Sequence, residues 1–241
     1  MPTPDSTASA ESPLAPAERP TDAIFARIAR RYDLINRLLA AGRDRAWRRS
    51  VIEHLPPGRL LDLGAGTGAA LPLFDDRQVV ALDPVPQMLD LNPTPARVVG
   101  KGESLPFGDA SFDAVFSAFV LRNLDSVETT MDEIARVLRP GGSVGVVGLT
   151  RPKGKLAASL HRAGSAIVVP MAGALIDAVD EYRYLHRSLD KLPPPEQLFA
   201  DPPLRLDRLW RMGPLGFVYA AILTKLHVTR IGRCEPTRRR R

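Results

Sequence analysis

Apolar residues recur along this chain in two rhythms, and the changeover between them marks out the elements. From Ile24 to Leu55 they fall at helical spacing, with arginines between Ile24, Ile28, Tyr32, Ile35, Leu38 and Leu39. That spacing predicts one or two amphipathic helices, interrupted at Gly42 and stopped by Pro56, Pro57 and Gly58. Downstream, short apolar runs bounded by turn residues alternate with helical stretches. Strands are predicted at RLLDLG (59–64), VVALD (79–83), ARVVG (96–100), SFDAVFSAFVL (111–121, the strand and its exit) and GSVGVVGL (142–149, after the turn Pro140-Gly141-Gly142). A helix is predicted to open at GAALPLF (68–74), a short one to occupy PVPQMLDL (84–91) and a longer one SVETTMDEIARVL (126–138). Alternation of this kind predicts an α/β fold: a mostly parallel sheet with helices on both faces and a ligand at the carboxyl ends of the strands.

Composition bounds this picture. The 241 residues suit one sizeable domain, and 44% hydrophobic with 25% charged residues is the make-up of a soluble globular protein. Residues 1–20, rich in Pro, Ser, Ala and Thr and lacking an apolar core, read as a disordered tail and not a secretory signal. We expect a single domain over 21–229, with a helical cap at 21–55 and a lid or substrate insertion at about 155–200, followed by a basic tail at 230–241. The single cysteine, Cys234, excludes an internal disulfide framework and fits a cytoplasmic setting. His54, His161, His186 and His227 lack metal-ligand spacing, so no metal is expected. Net charge is +6, but residues 27–49 carry +6 and residues 230–241 carry +5, which leaves the rest at about −5. The body of the domain is therefore not a basic groove for nucleic acid. A basic tail and an arginine-studded amphipathic segment fit attraction to anionic lipid headgroups, or a merely solvated charge run. The longest uncharged run, 163–176, is broken by Pro170 and too short to span a bilayer, so the expectation is a cytoplasmic protein touching the inner face of the membrane peripherally.

The chemistry concentrates where the first strand ends. Leu60, Leu61 and Leu63 flank Asp62 and run into Gly64, Gly66 and Gly68. Glycines there permit positive φ and leave no Cβ in the way, so a nucleotide-like ligand can lie against the main chain. Asp62 would repel a pyrophosphate yet suits a cationic or hydroxyl-bearing ligand, and Asp83 closes the next apolar run. Two carboxylates at successive strand ends can take ribose hydroxyls and a sulfonium-bearing amino acid, which favours S-adenosylmethionine. On the motif alone two other readings stay open: Gly64, Gly66 and Ala69 satisfy GxGxxA, as a nicotinamide dinucleotide site would, and the turn need hold no ligand at all.

Taken together, LDLGAGTG, the acid of ALDPVPQML, ESLPFGDASFDAVFSAFVLRNL and IARVLRPGG resemble class I S-adenosylmethionine-dependent methyltransferases in order and spacing. Three further stretches resemble the C-methyltransferases of ubiquinone and menaquinone biosynthesis: IARRYDLINRLLAAGRDRAWRR, Leu121-Arg122-Asn123, and EYRYLHRSLDKLPPPEQL at 181–198. The resemblance implies a Rossmann-like seven-stranded sheet and methyl transfer to an aromatic carbon of a prenylated hydroquinone, demethylmenaquinol to menaquinol. It implies donor contacts from Asp62, Gly64, Ala65, Gly66, Thr67, Gly68, Asp83, Pro84, Met88, Gly102, Glu103 and Ala118. Arg122, Asp33 and Tyr32 are the implied catalytic residues, and Arg122, Asn123, Tyr182 and Tyr184 the implied substrate contacts. Each has a plainer reading: an ion pair from Arg122 to Asp125 or Glu128, a core tyrosine at 32, a helix cap at Asn123. Tyr182 and Tyr184, two apart, cannot both face one cleft. The chain departs from the family pattern at Lys101-Gly102, where an acceptor for adenine usually stands; at Ala118; at Gly148-Leu149, where an acid-aromatic pair usually ends the fifth strand; and beyond residue 200. Those departures admit a methyltransferase for another lipid or natural product, or a non-catalytic donor-binding homologue. A homodimer is compatible with all of them.

Overall fold

The strands are β1 (Arg59–Leu63), β2 (Gln78–Asp83), β3 (Ala96–Val99), β4 (Phe112–Ala118), β5 (Leu138–Leu149), β6 (Arg205–Met212) and β7 (Val218–Thr224). The helices are α1 (Asp44–Ile52), α2 (Pro86–Leu89), α3 (Val127–Val137) and α4 (Pro195–Leu198). This computed structural model describes residues 42–154, 192–200 and 203–226, together with Ala26, Ala40 and Ser159. Tyr32, Asp33, Tyr182, Tyr184, the run 163–176, residues 1–20 and residues 230–241 lie outside the described residues.

One seven-stranded sheet runs in the order β3-β2-β1-β4-β5-β7-β6. The β1, β2, β3, β4 and β5 pairings are parallel, and β7 runs antiparallel to both its neighbours. The first strands are near-continuous apolar runs because both faces are covered. Side chains alternate between those faces. Leu61, Leu63, Val115, Val144 and Val146 pack on the α3 side with Met131 and Ile134. Leu60, Ala114, Phe116 and Val147 pack on the α1 side with Trp47, Val51 and Ile52. By the same alternation Asp62, two residues after Leu60, belongs to the α1 side of the sheet. Gly145 lets α1 approach closely, since a Cβ there would stand 2.5 Å from Val51 Cγ1.

Three expectations need correction. The stretch 68–74 forms no α-helix; only a single 3₁₀ turn exists at Leu71–Leu73, with Leu73 and Phe74 buried beneath it. Gly66 (φ 53°), Gly68 (φ 84°) and Asp75 (φ 50°) hold left-handed backbone on either side, which leaves no room for a continuous right-handed helix. The turn predicted at 140–142 is a bulge within β5. The strand begins at Leu138 opposite Phe112, shifts register, and resumes at Ser143 opposite Ala114, with Gly141 (φ 81°) donating its N–H to Lys225 O at 2.8 Å. Finally, residues 205–224, part of the stretch seen in the sequence only as a departure from the family pattern, supply the hairpin β6–β7.

Candidate active site

The glycine turn is held by main chain on one side and by carboxylate on the other. Gly64 and Ala65 donate their N–H groups to Leu82 O at 2.8 and 3.0 Å, which ties the end of β1 to β2. Asp83 Oδ2 accepts from Gly66 N–H and its Oδ1 from Val85 N–H, both at 2.9 Å. These bonds fix the orientation of the Asp83 carboxylate. Asn92 braces the turn from outside: Nδ2 donates to Gly66 O at 3.0 Å and Oδ1 accepts from Thr94 N–H at 2.9 Å. A Cβ on Gly68 would stand 2.8 Å from that Oδ1, so glycine is needed there for space as well as for φ. Sequence reasoning missed Asn92; the Asn92-Pro93 pair is the one local signal of a fixed turn.

The absent helix decides between the two cofactor readings. A dinucleotide's pyrophosphate sits on the N-terminus of the helix that opens after the glycine turn. Here that turn leads into a 3₁₀ segment of three residues, and Asp62 and Asp83 border it. The arrangement suits a ligand with no phosphate.

The cleft itself opens at the carboxyl ends of β1, β2 and β4, where the strand order reverses direction. Gly64, Gly66, Asp83, Pro84, Met88, Gly102, Ala118 and Asn123 line it, together with Val85, Phe119, Val120 and Leu124. Asp62, Ala65, Thr67, Gly68 and Glu103 stand behind this lining. Asp62 is 3% exposed and accepts no hydrogen bond among the described residues. Burial pushes its carboxyl up to about 7, helped by Asp83 and opposed by the Arg48 guanidinium. Glu103 Oε1 accepts from Asp125 and Ser126 N–H at 2.8 and 3.4 Å just ahead of α3, while its Oε2 is buried with no hydrogen-bond partner. The carboxylates of Asp62 and Glu103 thus keep acceptor capacity beside the cleft, which an ammonium and an amino group of a ligand would use. Arg122 rides on the 3₁₀ turn Leu121–Asn123 after β4, and its charge reaches the phenol of Tyr219, whose pKa burial holds above the ordinary tyrosine value. Asn123 Nδ2 lies 3.5 Å from Phe119 O and, contrary to the capping alternative, Ser126 caps α3, with Oγ accepting from Thr129 N–H at 3.1 Å.

The model of the ubiE/COQ5 methyltransferase family matches residues 15–201. The chain belongs to that family. It is 37% identical over 193 residues to the demethylmenaquinone methyltransferase of Thermus thermophilus, covering 73% of this chain and 88% of that one. To the ubiquinone/menaquinone biosynthesis C-methyltransferase UbiE of Syntrophotalea carbinolica it is 37% identical over 188 residues, covering 72% and 79%. Among solved structures, the methyltransferase bound to the Haloferax volcanii Trm112 activator superposes with a TM-score of 0.57 at 18% identity, over 88% of this chain and 100% of that one. A methyltransferase from Thermotoga maritima gives 0.56 at 18%, over 84% and 98%. The fold is the Rossmann-like class I methyltransferase sheet, and this family member is an S-adenosylmethionine-dependent methyltransferase acting on a small molecule. Among the described residues no helix is long and apolar enough to cross a membrane, and no group of three or more His, Cys, Asp or Glu could hold a metal.

Proposed function

We propose that this protein methylates a ring carbon of a prenylated hydroquinone, converting demethylmenaquinol to menaquinol. The observation that carries the reading is the turn Leu121-Arg122-Asn123 at the mouth of the donor cleft, in a chain whose curated relatives are named for this reaction. When bound, S-adenosylmethionine supplies a methyl group activated by its sulfonium. We assign its ammonium to Asp62, its ribose hydroxyls to Asp83, and its adenine amino group to Glu103 Oε2, since Lys101 has no acceptor to offer. The chain's remaining task is to make carbon nucleophilic. An adjacent ring oxygen does so once it sheds its proton, but a phenol's ordinary pKa is near 10. Arg122 stabilises the developing phenolate, and Asn123, which lines the cleft, orients the ring. Incubating the protein with demethylmenaquinol and donor, with product mass as readout, is expected to yield menaquinol. Turnover of an unrelated phenol but not of the prenylated quinol would overturn the substrate class.

So insoluble a substrate has to be collected from a bilayer, and we infer reversible surface contact through the arginine-rich segment 24–49 or the run 163–176. Within the described part of the first, Arg43, Arg45 and Arg49 are exposed, whereas Arg48 is buried and unavailable to lipid. Flotation with anionic vesicles at low salt, reversed at high salt, is the expected result; no flotation at low salt would exclude it.

A further inference from the structure

Arg48 is an arginine in the wrong place for a surface helix. It lies in α1 amid other arginines, yet it is 5% exposed, with its guanidinium 5.3 Å from the centre of the Phe119 ring. Among the described residues its only hydrogen-bond acceptor is Asp44, which takes Nη1 at 2.7 Å and leaves the rest of the fork unused. Burying a guanidinium is costly unless its donors are satisfied. The guanidinium lies over Phe119, which lines the donor cleft and whose unusual φ of 65° is fixed by its N–H bonding Val147 O at 2.7 Å. Asp62 occupies the same α1-facing side of the sheet, on β1, opposite Phe116 of β4. A cation and an anion therefore share one side of the sheet, each next to a residue that lines the cleft (Phe119 and Leu63), without forming an ion pair with each other, since the partner of Arg48 is Asp44.

We propose that Arg48 binds the carboxylate of the donor's methionine moiety, so that Asp62 and Arg48 together read its two opposite charges. A planar guanidinium with a free edge matches a carboxylate in two parallel hydrogen bonds. The Phe119 ring beneath the guanidinium excludes water from one face and so strengthens the pair. This inference rests on the donor assignment above. It adds that the amino-acid end is selected by charge at both groups, and that α1 is part of the donor site and not only a cover for the sheet.

Calorimetry with the full chain tests it, using S-adenosylmethionine and its decarboxylated analogue, which keeps the adenosyl, sulfonium and ammonium groups and lacks only the carboxylate. Wild-type protein is expected to bind the complete donor about tenfold to a hundredfold more tightly, the value of a charge-assisted contact. In Arg48→Met that preference is expected to vanish through weaker binding of the complete donor alone, and in Arg48→Lys to shrink. Equal affinity of wild-type protein for the two compounds would overturn the proposal whatever the variants do. So would a preference that survives undiminished in Arg48→Met. Failure of wild-type protein to bind either compound would instead overturn the donor assignment itself, a result distinguishable from the other two.

Discussion

Asp62 is asked to carry charge where burial opposes it, and the consequence is measurable. Its carboxyl titrates near 3.8 when solvated and at about 7 in the folded protein. Between those values the folded state binds the extra proton, so this group's contribution to stability falls as pH rises from about 4 to about 7, then levels off. An ammonium ligand pairs with the ionised form, so donor affinity should rise over the same interval as pH approaches 7. We expect Asp62→Asn to flatten both trends and to weaken binding, read from urea midpoints without donor and from calorimetry at pH 6 and pH 8. Arg122 should behave differently. If it stabilises charge only in the transition state, Arg122→Ala lowers turnover by roughly 10²–10³ while the donor's Kd stays put; unchanged turnover would make it a structural residue. Much of this site was legible in the sequence. Gly64, Gly66, Asp83, Pro84, Met88, Gly102, Ala118 and Asn123 reach the cleft because a strand-end motif fixes its own local geometry. Arg48 was not legible, because an arginine among arginines on an amphipathic helix reads as solvated, and only the long-range approach of Phe119 buries it.

The elements explain why one family feature is missing. Gly148 of β5 faces Tyr219 of β7 in register, and a Cβ built on Gly148 would run into the ring and hydroxyl of Tyr219. The usual acid could not fit at 148 while Tyr219 fills that space. Gly148→Ala is expected to cost about 1–3 kcal/mol by overpacking, seen as a lower urea midpoint. Trimming the ring in Gly148→Ala/Tyr219→Ala should give a loss smaller than the sum of the two single losses. Equal midpoints for wild type and Gly148→Ala would show that the ring moves aside freely. The parallel strands were readable because each is a short, mainly apolar run set off from helical stretches. The hairpin was not. VYAAIL is apolar without a helical or strand period, and RLDRLWRM carries three arginines as befits an edge. The false helix at 68–74 has a different cause, since GAALPLF has helical composition and only the backbone reversals at Gly68 and Asp75 forbid it.

At the scale of the whole molecule, the order of strands in space differs from their order in the chain. The last described strand, β7, does not lie at a border; it is wedged between β5 and β6, and its Val218 to Leu223 are all buried. A ribosome therefore releases most of this sheet before the piece that seals it exists. Until the hairpin emerges, β5 presents an open row of main-chain donors and acceptors beside the apolar Val144, Val146 and Val147, the profile of an adhesive edge. Chains stopped after Ala200 should accordingly partition into the insoluble fraction although they retain the glycine turn, both acidic strand ends and Arg122; a soluble, donor-binding fragment would show the wedge to be dispensable. Premature termination near the end of this message would thus do more than remove activity: it would leave a nascent chain that holdase chaperones must shield or proteases must clear.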